Sequence, residues 1–155
     1  MASKSSYTIT LSNNISEKEA LDYLLESDER FLLPDKAGRK QILAILNLDR
    51  SFSRAFDLVM IKGKTRTTST ALEITNPADI TLIELKTTKK KLPECPKGFF
   101  FGATENELKL AKKLGNQYTF CFVCLHPETK KYVLITLQEL EKLIKTKRTQ
   151  FQINL

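Results

Sequence analysis

The sequence predicts an α/β domain with a central mixed β-sheet flanked by helices. Two features carry that expectation. Three Ser/Thr-x-x-Glu signatures, Ser16 with Glu19, Thr104 with Glu107 and Thr136 with Glu139, each precede apolar residues at helical spacing, the pattern of a reciprocal capping box opening an amphipathic helix. Four apolar, partly β-branched runs lie at 55–62, 79–87, 117–125 and 131–137. One of the three helices falls between the second and third runs, and a helical crossover there makes a parallel pairing, and so a mixed sheet, the natural arrangement.

Taken in order, the first helix begins at Ser16 and turns Ala20, Leu21, Leu24 and Leu25 inward. A second covers 36–48 with Ala37, Ile42, Ile45 and Leu46 inward. The strands "AFDLVMIK" and "DITLIELKT" follow, separated by a connector too long for a tight turn, in which "TALEIT" can extend the second strand of a hairpin. The third helix, "ENELKLAKKLG", places Leu110, Ala111 and Leu114 on one stripe and ends at Gly115. "QYTFCFVCL" and "KYVLITL" are joined by the turn "HPETK", and the last helix, about 137–147, carries Leu140, Leu143 and Ile144. One domain spans 1–155: N-terminal helices at about 16–48, a hairpin and crossover at about 50–137, and the C-terminal helix.

At 155 residues and 41% apolar, the chain is long enough to bury its own core. Its net charge of +7 favours a polyanionic partner, with nucleic acid ahead of an anionic membrane surface. No run is long and apolar enough to span a membrane, and "MASKSSYTIT" lacks the apolar centre of a secretory signal. The expected location is therefore cytoplasmic. Cys95, Cys121 and Cys124 are an odd number and point away from a disulfide scaffold. Cys121 and Cys124 are an odd step apart in a strand and face opposite ways, so both are expected as buried strand cysteines rather than a zinc or redox pair. His126 is the lone histidine, which removes the material for a triad or a histidine-rich metal site.

The chemistry concentrates in "ITLIELKTTKKK". Strand residues two apart share a face, so Ile80, Leu82, Glu84 and Lys86 form a face that begins apolar and ends charged. On the preceding strand Asp57 shares a face with Ala55, Val59 and Ile61. A carboxylate among apolar neighbours needs a cation or donors. If the strands pair, Asp57 and Glu84 converge on a site suited to Mg²⁺, a hard cation commonly held by one or two carboxylates, waters and a substrate phosphate. Lys86 stands beside them to polarise phosphate or to orient and deprotonate water.

Asp57 followed by Glu84-Leu85-Lys86 resembles the PD-(D/E)xK nuclease superfamily, of restriction-endonuclease-like fold. The run "FFFGATENELKLAKKLGNQYTFCFVCL" resembles the helix and strand that follow the motif in one branch of it, and the likeness covers roughly 50–137. The resemblance implies a homodimeric, Mg²⁺-dependent DNA endonuclease, with Mn²⁺ an expected substitute: Asp57 and Glu84 hold metal and Lys86 is the catalytic lysine. Phe56 stands where the motif name has Pro, and the segment from 58 to 83 exceeds the usual short hairpin. Asp79 is a rival first acid whose odd spacing from Glu84 turns it to the opposite face. The superfamily often adds an acid from the first helix; Glu17 and Glu19 are both candidates. Lys64, Arg66, Lys89, Lys90 and Lys91 are the expected DNA contacts, whereas Lys109, Lys112 and Lys113 read as a solvated helix face. Phe99, Phe100 and Phe101 read as core or interface packing, with base stacking as the alternative. Two other functions fit the same residues: a nucleic-acid-binding protein without catalysis, and a nuclease subunit that needs a partner chain.

Overall fold

Alternation along the third quarter of the chain sorts the core into two layers. In the computed structural model, which describes residues 3–66 and 76–155 (side chains from residue 15 onward), four strands form one sheet: β1 (Leu58–Ile61), β2 (Ile80–Thr88), β3 (Tyr118–Cys124) and β4 (Lys131–Ile135). Their spatial order follows the chain order. β1 and β2 are antiparallel, β2 and β3 parallel, β3 and β4 antiparallel. The parallel step is made by helix α3 (Glu105–Leu114), as a crossover between parallel neighbours requires.

Helix α1 (Ser3–Ser27) covers one face, where Ala20 and Leu24 pack with Leu58, Ile83, Leu85, Cys121 and Val123. Helices α2 (Lys36–Ile45), α3 and α4 (Leu137–Glu141) cover the other, where Ile42, Leu43, Leu110, Ala111 and Leu140 meet Val59, Ile61, Ile80, Leu82, Phe120 and Phe122. A sheet covered by helices on both faces produces the near-continuous apolar runs of β2 and β3. Leu32 adds an isolated bridge to the outer edge of β1 at Val59.

Several expectations change. α1 begins at Ser3, so Ser16 is a buried residue within the helix and not its cap; the Ser-x-x-Glu pattern there has the residues of a box without the chain end. α2 is capped instead by Asp35, which accepts from the Gly38 amide at 2.7 Å, and Ala37 is exposed. β1 starts at Leu58, leaving Ala55 and Asp57 on the approach to the strand. α4 stops at Glu141, and Leu143 and Ile144 are exposed rather than part of a stripe. "TALEIT" lies outside the described residues. The capping boxes of Thr104 and Thr136 form as expected.

The cysteine expectation is corrected in one respect. Cys121 and Cys124 do face opposite layers, and Cys121 is a buried free thiol whose pKa burial pushes up to about 12. Cys124, however, is bonded to Cys95, which reaches it from the β2–α3 loop. Strand parity restricts only pairs within the strand and says nothing of a loop cysteine.

That bond closes a loop of sequence separation 29. Chain-entropy reasoning gives about 3.6 kcal/mol of stabilisation for a closure of this size. Reduction, or Cys95→Ser, should therefore lower the denaturation midpoint by a corresponding amount. Equal midpoints for oxidised and reduced protein would mean that the two sulfurs are not joined in solution.

Candidate active site

β1 and β2 pair with Leu58 opposite Ile83, which puts Asp57 beside Glu84. Two contacts lock the register at this end. The Asp57 amide donates to the Ile83 carbonyl, and the Leu85 amide donates to Asp57 Oδ2, both at 2.8 Å. The main chain leading to Asp57 is held from behind by Arg39 on α2. Its guanidinium donates to the carbonyls of Ser53 (2.9 Å), Phe56 (2.5 Å) and Asp57 (3.2 Å) and lies over the Phe56 ring. Buried Tyr118 adds a hydroxyl donated to the Ala55 carbonyl at 2.5 Å. Its phenol pKa is raised by burial and then by the charges of Glu84, Glu107 and Asp57.

Glu84 is buried, and its Lys86 neighbour is nearly so. Lys86 Nζ lies 3.4 Å from Glu84 Oε1 and 2.6 Å from Glu107 Oε1. Glu107 uses its other oxygen on Thr104, whose hydroxyl donates to Oε2 at 2.7 Å. The capping box of α3 thus aims a carboxylate at Lys86. Glu107 was legible only as a cap; yet with Leu110, Ala111 and Leu114 it stands at i, i+3, i+4 and i+7, a spacing that places it on the buried stripe.

Charge balance within this group is uneven. Burial and then the Asp57 charge push the Glu84 pKa up to about 9, with Lys86 offsetting them in part. Glu84 Oε2 is buried and receives no hydrogen bond. Two carboxylates facing each other without a donor between them need a shared proton or a cation. The donor set, hard oxygens of Asp57 and Glu84 with one of them orphaned, fits Mg²⁺ or Mn²⁺. Among the described residues no cluster of three or more His, Cys, Asp or Glu forms a ready cage, so a cation here would complete its shell with water and substrate oxygens, as Mg²⁺ commonly does.

The N-terminal candidates separate. Glu17 on α1 is close enough to Asp57 and Lys86 to feel both, and its pKa is raised by burial and then by Asp57. Glu19 pairs instead with Lys89 at 3.8 Å on the surface. Asp79 ends a 3-10 turn just before β2, whereas Glu84 lies at the middle of that strand. Of the expected DNA contacts, Lys89, Lys90 and Lys91 are exposed beyond the end of β2, with Lys91 paired to Glu128 at 2.5 Å. Lys64 is half-buried near the end of β1. Arg66 is exposed and donates to the carbonyls of Leu25, Asp28 and Phe31, tying α1 to the following turn. Lys109, Lys112 and Lys113 form the solvated face of α3.

Comparison with family models, with characterised proteins and with solved structures returns no significant match.

The raised Glu84 pKa has a defined effect on stability. The unfolded chain loses this proton near 4.5 while the fold keeps it to about 9, so the group makes the metal-free fold less stable as pH rises between those values. Glu84→Gln removes the penalty. In EDTA its stability relative to wild type should grow by on the order of 4 kcal/mol from about pH 5 to about pH 8. A pH-independent difference would mean that Glu84 ionises normally.

Proposed function

We propose that the chain is a divalent-metal-dependent DNA endonuclease of restriction-endonuclease-like fold. The observation that carries this reading is the pair of facing carboxylates, Asp57 and Glu84, at the end of an apolar sheet face, with a buried lysine two residues along the same strand. Support comes also from the antiparallel β1–β2 pair, the α3 crossover and the parallel β3, the order that the motif's strand and following helix imply.

On this reading Asp57 and Glu84 hold Mg²⁺, with Mn²⁺ as a substitute, and Glu17 stands near enough to orient a bound water. The ion, when bound, neutralises phosphate charge and lowers the pKa of a coordinated water. Lys86 contributes an ammonium fixed by Glu107, able to donate to a non-bridging phosphate oxygen or to hold the attacking water in line. Hydrolysis forms a bond from the water oxygen to phosphorus and breaks the ester P–O bond; the water proton passes to solvent or a nearby base, and the leaving oxygen is protonated. The lysines at 89–91 supply sequence-independent phosphate attraction. A homodimer would present two such sites to two strands. A cytoplasmic location would keep Cys95 and Cys124 largely reduced, so the active form would be the dithiol.

The test is nicking of supercoiled plasmid in Mg²⁺, Mn²⁺ or EDTA, with the protein both oxidised and reduced. Metal-dependent nicking should fall by roughly 10²–10⁴-fold in Lys86→Ala and be lost in Glu84→Ala and Asp57→Asn, with circular dichroism confirming the fold. Glu107→Gln should retain partial activity, since it loosens Lys86 without removing it. Wild-type rates in Lys86→Ala would refute the site. Retarded DNA without cleavage in any metal would instead favour a binding protein.

A further inference from the structure

We infer that Phe100 is a stacking contact for an unpaired nucleobase beside the Glu84–Lys86 site, an inference that rests on the nucleic-acid reading above. A single exposed phenylalanine is ordinary. This one is distinguished by how it is held. Phe100 is 96% exposed, while its neighbours Phe99 and Phe101 pack into the core. Both neighbours meet the ring of Phe122 edge-on, with centroids at 4.9 and 5.0 Å, and each other at 6.1 Å. Two inward anchors fix the backbone on either side, so Phe100 is presented outward and not merely unpacked.

The anchors also place it. Phe122 is the register partner of Lys86 across the parallel β2–β3 pair, and paired residues share a sheet face. The Phe99–Phe101 segment therefore sits over the strand next to the site lysine, on the same side. Its loop is tied down at several points. Leu92 is buried and its amide donates to Thr129 Oγ1 at 3.3 Å; Cys95 is buried in the core beside Cys124, a packing that does not depend on the bond between them; the Phe99 amide donates to the Pro96 carbonyl at 3.0 Å. Gly98, at φ +86°, turns the chain where a side chain would be strained.

Charge identifies the ligand class. From 89 to 101 the loop carries Lys89, Lys90, Lys91 and Lys97 against Glu94 alone. Their pairs with Glu19, Glu128 and Glu94 are exposed, of a kind worth little to the fold and readily exchanged for phosphate. A rigid aromatic ring within a cationic loop is the arrangement that binds single-stranded nucleic acid, the lysines tracking the backbone and the ring taking a base. Duplex bases are already stacked, so the preference is for a strand with an unpaired base near the cleavage point.

The chain contains no tryptophan, so Phe100→Trp introduces a lone reporter at the contact. In EDTA, an oligothymidylate of about twelve nucleotides should quench the introduced indole, and its duplex with oligodeoxyadenylate should quench it less. By fluorescence anisotropy with labelled DNA, Phe100→Ala should bind the single strand roughly 5- to 150-fold more weakly while duplex affinity changes little. Because the side chain is exposed, neither variant threatens the fold. Unchanged emission at saturation, or wild-type single-strand affinity in Phe100→Ala, would overturn the inference and leave the nuclease reading standing. Quenching by the single strand from a protein that nicks no plasmid would support the base contact and overturn the nuclease.

Discussion

Three carboxylates, of Asp57, Glu84 and Glu107, and one ammonium, of Lys86, meet at the end of an otherwise apolar sheet face. That imbalance is the constraint from which the rest of the site follows. One buried lysine can compensate one carboxylate fully and a second in part, and it divides itself at 2.6 and 3.4 Å in that sense. Asp57 draws on the Leu85 amide instead. Glu84 is left with an oxygen that receives nothing. An apolar side chain in its place would pack more cheaply, since unpaired buried charge costs several kcal/mol. The metal-free fold answers by holding a proton on Glu84 far above the ordinary carboxylate range. A divalent cation would replace that proton, coupling metal binding to proton release.

The surrounding structure keeps this group from relaxing. Were β1 to shift, Asp57 would leave Glu84 and the repulsion would ease. Arg39 prevents this by gathering the Ser53, Phe56 and Asp57 carbonyls, and the Tyr118 hydroxyl holds Ala55. On the opposite side the Thr104 box fixes Glu107 by both oxygens, one to the cap and one to Lys86. Each restraint comes from a separate element: α2, β3 and α3. Strained polar clusters persist when independent parts of the fold over-determine them.

What was legible in the sequence divides along the range of the interactions. Period-two alternation in "ITLIELKTT" was enough to put Glu84 and Lys86 on one face with Ile80 and Leu82, and the same rule sent Cys121 and Cys124 to opposite layers. The meeting of Asp57 and Glu84 follows from the sequence only on the condition that the two apolar runs pair, and that pairing is what the structure supplies. The rest depended on contacts between distant segments. Glu107 was visible as a cap because capping is local; its contact with Lys86 crosses 21 residues. Arg66 is legible in the sequence only as a charge, because its carbonyl partners lie 35 to 41 residues away. Cys95 belongs to the same class, as does the choice of Glu17 over Glu19, since a helix starting at Ser3 rather than Ser16 changes only its reach and not its periodicity.

The β2–α3 loop joins these two scales. It begins at the charged end of β2 and ends at the Thr104 cap, so its path is set at both ends by the site. Phe99 and Phe101 close the apolar layer over Phe122, directly beside Lys86. They thereby fill the apolar layer on the strand next to the one that carries Lys86. The same two anchors turn the intervening ring outward. Local alternation within three phenylalanines thus does double service, packing the core on one side and offering an aromatic surface on the other. A replacement that unseats Phe99 or Phe101 would disturb both at once, whereas one at Phe100 touches only the outer surface, and that separation is what makes the base contact independently measurable.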